Sequence, residues 1–230
     1  MTHLEIELEQ LKKAIIEMMD IVKNQLEKSR TALLSMDTDI AQEIIHNEIR
    51  INALELSIDR DCENIFALFN PVAIDLRFIL SILKINSDLE RIGDLAEGIA
   101  KFALELESSP PKNLLTEIRF NEMFELTINM LDNVIEGFIH EDTKIARQVF
   151  KKDKILNQIN KDSPRIISEF VEKDPQIIKP SLYFFSVIRK LERIGDLTKN
   201  IAEDIIFHIE AKVLKHKNAV KKIKKIKSGG

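Results

Sequence analysis

Leu-Glu-Arg-Ile-Gly-Asp-Leu stands at residues 89–95 and again at residues 191–197, seven identical residues 102 positions apart. Helical periodicity alone does not generate an identical heptamer carrying three charges and a glycine, so the match indicates a duplicated unit. The correspondence extends on both sides. Ile40, Ala41, Glu48 and Asn52 stand opposite Ile145, Ala146, Asp153 and Asn157, and Asn70-Pro71 faces Asp174-Pro175. Beyond the heptamer, Ile99-Ala100 faces Ile201-Ala202. Each unit spans a domain-sized stretch, and two copies nearly fill the 230 residues.

Apolar periodicity gives each unit its shape. Leu4, Leu8, Leu11, Ile15, Met18 and Val22 recur at alternating steps of four and three, the seam of one long amphipathic helix. It should stop near Ser35, with Asp37 or Thr38 capping a second helix over about 39–69. Asn70 is expected as the N-cap of the third helix, with Pro71 in its first turn, and Ser108-Ser109-Pro110-Pro111 should end that helix near Glu107. The second unit predicts helices over about 114–140, 142–171 and, from Asp174 or Pro180, towards Lys212. Pro164 should kink or interrupt the middle one. No alternating pattern argues for a strand. The expected class is therefore all-α: two tandem three-helix bundles, six long antiparallel helices in all, over residues 1–109 and 110–212. A basic tail at 213–230 is expected to be frayed.

Composition narrows the function. With 44% apolar residues, 31% charged residues and no Trp, the profile suits a helical globular protein. No window approaches the roughly 18 apolar residues of a membrane span, and the acidic start MTHLEIELEQ is unlike a signal peptide, so a cytoplasmic location is expected. The lone Cys62 excludes a disulfide framework and predicts a buried structural thiol. The net charge of −4 hides a division, because residues 211–230 hold eight lysines and no acid. An acidic body with a basic end is not a nucleic-acid-binding fold; the tail is open to an anionic membrane surface, an acidic partner or plain solvation. His46, His140 and His208 are isolated, and no phosphate loop, dinucleotide fingerprint or zinc spacing occurs. Catalysis has no positive sign.

The repeated heptamer carries the chemistry that remains. Glu90 and Asp94, like Glu192 and Asp196, lie four apart and project from one helical face, a like-charge arrangement that costs a helix roughly 0.2–0.5 kcal/mol. Three readings stay open: pairing with Arg60, Arg77 or Arg189, a divalent or trivalent cation held by carboxylates from several helices, or an exposed acidic face. Glu48 and Asp153 on the second helix of each unit would add a ligand to each cluster. Hard oxygen donors without a Glu-x-x-His pair suit Mg, Mn or Fe and count against a ferritin-like oxidase. Gly93 and Gly195 cost roughly 1 kcal/mol each against alanine inside a helix, and tight packing is the expected compensation.

The paired ERIGD strings, PVAIDLR at 71–77, LKINSDLERIGDLAEGIAK at 83–101 and RKLERIGDLTKNIAED at 189–204 resemble the PhoU family over nearly the whole chain. The resemblance implies two three-helix bundles, a homodimer and no enzyme activity. It further implies an adaptor between the ATPase subunit of a phosphate ABC transporter and a sensor histidine kinase, which keeps the phosphate-starvation response off when phosphate is ample. A soluble accessory subunit gating a different phosphate carrier is the alternative, and a carboxylate-bridged metalloenzyme stands behind both. Some members bind metal clusters through an (E/D)xxxD motif, met at Glu90–Asp94 and Glu192–Asp196. The motif recurs with Asn as its last residue at Glu48–Asn52 and Asp153–Asn157. Where the family has Ala-Glu-Asn before Ile-Ala, this chain has Ala96-Glu97-Gly98 and Thr198-Lys199-Asn200. Asp75 and Arg77 have no counterparts near Ile177–Lys179. The two sites are expected to be unequal, the first being furnished with Asp75 and Arg77.

Overall fold

The computed structural model describes residues 2–211. Among them the chain is helical throughout, with no strand. The heptad seam of the sequence becomes α1 (His3–Ser35), opened by Thr2, whose hydroxyl accepts from the Glu5 N–H while Glu5 accepts from the Thr2 N–H. Met36 closes it in the left-handed region. The Asp37 carboxylate accepts from the Asp39 and Ile40 N–H groups and starts α2 (Thr38–Leu68).

The third helix departs from expectation at its start. It runs as α3 (Ala73–Glu105), two residues later than Asn70-Pro71 would place it. Val72 is the N-cap, extended in backbone, and its N–H is satisfied by the Asp75 carboxylate three residues on. That carboxylate, reaching back from the first turn, satisfies the N-cap N–H, while Val72 offers no side-chain acceptor to the first-turn N–H groups expected to be served by Asn70.

In the second unit two expected helices are split. A short α4 (Lys112–Glu117) precedes α5 (Phe120–Ile139), because Arg119 adopts a left-handed conformation with φ 54°. Likewise α6 (Thr143–Ala146), capped by Asp142, is separate from α7 (Val149–Lys173). Pro164 does not interrupt α7. It lies on the exposed face, where the Asn160 carbonyl that loses its partner can be hydrated. A single 3-10 turn (Pro175–Ile177), capped by Asp174, leads into α8 (Ile178–Glu210). The lysine-rich segment lies outside the described residues.

Helices α1, α2 and α3 form one three-helix bundle and α5, α7 and α8 the other, with α1 and α3 of the first packed on α5 and α8 of the second. One continuous buried cluster runs from Leu11 to Ile206 and takes side chains from both. Cys62 is fully buried, as expected, and burial pushes its thiol up to about 12. Surface ion pairs cross between the halves at Lys23–Asp132 and Lys12–Glu141, but exposed pairs add little beside the apolar contact.

The pairing of α3 with α8 positions everything functional. Ser81 donates to the Asp204 carbonyl near one end, and Lys179 meets Glu107 near the other. The helices are therefore antiparallel in a single register, which sets Ile92 opposite Ile194 at the centre. The two copies of the heptamer lie side by side, their isoleucines fully buried. Their acidic positions turn outward, one pair towards α2 and the other towards α7.

Glycines mark the closest approaches. A Cβ on Gly195 would stand 2.5 Å from Leu156 Cδ1, and one on Gly93 3.0 Å from Ile51 Cδ1, so tight packing does occupy these positions. At Gly137 the neighbour is backbone: a Cβ would stand 3.1 Å from the Ala146 nitrogen. Gly137→Leu is thus expected to force α5 and α6 apart at a cost of about 1–3 kcal/mol, read as a lower urea midpoint; an unchanged midpoint would contradict this close approach.

Candidate carboxylate clusters and family membership

The first cluster forms where α2 crosses the heptamer of α3. Glu48 is only 6% exposed. It sits against Gly93, with Oε2 3.3 Å from where a Cβ would be, so the glycine admits the carboxylate. Gln25 of α1 donates to Oε2 at 2.8 Å, while the buried Oε1 has no hydrogen-bond partner. Burial, opposed in part by the Gln25 hydrogen bond and reinforced by the negative charges of Asp94, Glu97 and Glu90, pushes the Glu48 carboxyl up to about 7. Glu90 is raised too, by burial first and then by Asp94 and Glu55. Glu97, half-buried, is held by Lys101 one turn on at 2.6 Å. The first cluster is a concentration of negative charge whose most buried oxygen lacks a donor.

The second cluster has the same frame and the opposite electrostatics. Asp153 of α7 is 7% exposed, in the place of Glu48, and Asp196 and Glu192 of α8 take the places of Asp94 and Glu90. Into this group projects Lys199, whose ammonium donates to Asp153 at 3.2 Å and 3.1 Å and to Asp196 at 2.5 Å. Burial alone would lower the Lys199 amine, but the hydrogen bonds to Asp196 and Asp153 outweigh it and hold the amine above the usual lysine range. Asn157 adds a long contact to Asp153 at 3.4 Å. Glu192 is raised by burial and by its acidic neighbours, with Lys199 working against them.

The arginine pairing considered from the sequence is not what balances these carboxylates. Lys199 does so in the second cluster, whereas in the first Lys101 reaches only the peripheral Glu97, and no lysine among the described residues pairs with Glu48, Glu90 or Asp94. Asp75 and Arg77 do not furnish the first site either. Asp75 caps the start of α3, and fifteen residues of helix place it about 22 Å from Glu90. Arg77 lies at the same end, near enough to His208 to help burial hold that imidazole below its usual range. The inequality of the two sites comes instead from Glu97 and Lys199, equivalent positions of opposite charge. Gln25 was missed from the sequence alone, although its signal was there: a polar residue continuing the apolar seam of α1 after Val22.

Among the described residues no three carboxylate, imidazole or thiolate groups already converge in a geometry that would hold a metal ion. The donor set of the first cluster nevertheless suits a hard cation: all oxygen, anionic, and with a buried oxygen lacking a donor. The second cluster suits one less, because its carboxylates are engaged by an ammonium.

The profile of the PhoU domain matches twice, over residues 15–103 and 120–205. The chain belongs to the PhoU family. Both PhoU matches contain one copy of the heptamer, and the interval between them contains the α3–α4 connection and the Arg119 break. Among PhoU relatives, the phosphate-specific transport system accessory protein PhoU homolog of Aquifex aeolicus (strain VF5) is 36% identical over 216 residues, covering 94% of this chain and 97% of its own. The accessory protein PhoU of Escherichia coli (strain K12) is 32% identical over 210 residues, with 91% and 86% covered. The crystal structure of PhoU from Pseudomonas aeruginosa superposes with a TM-score of 0.86 at 32% identity, covering 91% of this chain and all of that one. The phosphate transport system regulatory protein PhoU from Streptococcus pneumoniae gives 0.83 at 28% identity, covering 93% and 100%. No helix among the described residues is long and apolar enough to cross a membrane.

Proposed function

We propose that this chain is a non-enzymatic regulator of phosphate homeostasis. It modulates phosphate uptake and restrains the phosphate-starvation response by contact with the ATPase subunit of a phosphate ABC transporter and with a sensor histidine kinase, acting in the cytoplasm as a homodimer. One observation carries the reading: relatives named as accessory proteins of the phosphate-specific transport system align with the chain over nearly its whole length and theirs. Deleting the gene should derepress the starvation response in phosphate-replete medium, and the intact chain should co-purify with a tagged ATPase subunit. Normal repression in the deletion strain, or retention by a different phosphate carrier instead, would replace this reading with that of an accessory gating subunit.

We further infer that the first cluster holds one hard cation, Mg, Mn or Fe, with Glu48, Glu90 and Asp94 as the carboxylates that would hold it. The cation would supply the positive charge that the cluster lacks, tying α2 to α3 at the centre of the first bundle. Glu48 would contribute its unpartnered buried oxygen, and Glu90 and Asp94 would supply the remaining negative charge from the same face of α3. Protein purified without chelator should contain metal by elemental analysis, and the Glu90→Ala, Asp94→Ala double variant should not; equal metal in both would show that the ligands are wrong.

A further inference from the structure

We infer that Lys199 is the resident cation of the second carboxylate cluster, so that this cluster takes no metal ion and the duplicated sites divide into one that carries its own positive charge and one that does not. Three carboxylate oxygens, two from Asp153 and one from Asp196, lie 2.5–3.2 Å from the Lys199 ammonium. An ammonium has three donors and accepts nothing, so these contacts use the hydrogen-bonding capacity of the group.

Geometry and charge together exclude a metal. The oxygens that would ligate it from α7 and α8 already surround the ammonium. A dication among them would stand within a few ångströms of a positive charge on a side chain only 27% exposed, where screening by water is weak. Expelling the lysine would mean turning an ion-paired ammonium out of a largely buried setting, and breaking such a pair costs far more than breaking one at the surface.

The repeat shows that this is particular to one half. Position 199 corresponds to position 97 by the offset of the heptamer, and there the residue is Glu. In the first bundle Lys101 reaches Glu97, while the Glu48 oxygen on the buried side has no donor. One duplicated frame thus carries a carboxylate at 97 and an ammonium at 199, and the second is satisfied without any exogenous ion. This holds whether or not the first cluster takes up a metal.

The test uses the full chain in the Glu90→Ala, Asp94→Ala background, which removes two of the three first-cluster donors, titrated with Mn2+ and read by the electron paramagnetic resonance of free ion. This protein should bind no Mn2+ at the second cluster. Adding Lys199→Glu, which installs the side chain of the first cluster, should create a Mn2+ site that Asp196→Asn then removes, whereas Lys199→Arg should keep the cluster silent. Mn2+ binding with Lys199 intact that is lost on Asp196→Asn would overturn the inference, as would a Lys199→Glu protein that gains no site. A second readout guards against misfolding. In chelator, Lys199→Met should lower the melting temperature by on the order of 10 °C, and adding Asp153→Asn and Asp196→Asn should restore part of it. An unchanged melting temperature in Lys199→Met would show that the ammonium is not what balances these carboxylates.

Discussion

Phe184→Ala is expected to cost about 3–5 kcal/mol and to lower the melting temperature by on the order of 10 °C, while unfolding remains a single transition. Phe184 is fully buried on α8. Its ring centroid lies 4.8 Å from that of Phe120, which in turn lies 5.4 Å from Phe124. Truncation removes an aromatic partner and leaves a cavity that the packed helices α5 and α8 cannot fully close. The single transition follows from the continuous core: α3 packs on α8 along its length, and the buried cluster draws on both bundles. Differential scanning calorimetry decides the matter. Two resolved transitions, only one of them moved by the substitution, would mean that the bundles fold as independent units.

Glu48→Gln is expected to stabilise the metal-free protein at pH 8 by about 1–2 kcal/mol, with the advantage vanishing near pH 4.5. The Glu48 carboxyl is raised from its ordinary 4.5 to about 7 by burial first, less the Gln25 hydrogen bond and with the acidic neighbours adding to it. The folded state thus binds this proton more tightly than the unfolded chain does. The associated stability is fully present below about pH 4.5 and is lost as pH rises through about 7. Glutamine keeps a carbonyl for Gln25 to donate to and removes the charge, so the variant should lack that decline. Urea denaturation in chelator across pH 4.5–8.5 measures it, and parallel stability curves for the two proteins would show that the buried charge is not costly. Mn2+ should then stabilise the parent at pH 8 and leave the variant unchanged, because a cation supplies the compensation that only the charged carboxylate needs.

Much of the fold was legible because helical periodicity is a local property. The seam from Leu4 to Val22 gives α1, Asp37 is the cap that its neighbours suggest, and the identical heptamers announce the duplication. The expectations that failed turn on single backbone choices. Arg119 enters the left-handed region and splits a helix that the apolar pattern would have continued. Asp75 reaches back to Val72 and displaces the start of α3 from Asn70. Pro164 falls on the solvent side of α7, where a lost hydrogen bond is tolerated. None of these is written in the apolar pattern, since each depends on which way a residue faces once the bundle has formed.

The carboxylate clusters divide along the same line. Spacing alone places Glu90 with Asp94 and Glu192 with Asp196, because residues four apart share a helical face. The repeat alone names Glu48 and Asp153 as equivalents and sets Glu97 against Lys199. Those relations, together with the all-α class and the family, are properties of the sequence by itself. Only the tertiary structure decided that Lys199 closes on Asp153 and Asp196, that Gln25 reaches Glu48 from α1, and that Asp75 and Arg77 lie at the far end of α3, about 20–22 Å along the helix from Glu90. Which charges meet across helices depends on the register in which those helices pack, and that register is set by the shape of a core drawn from both halves of the chain.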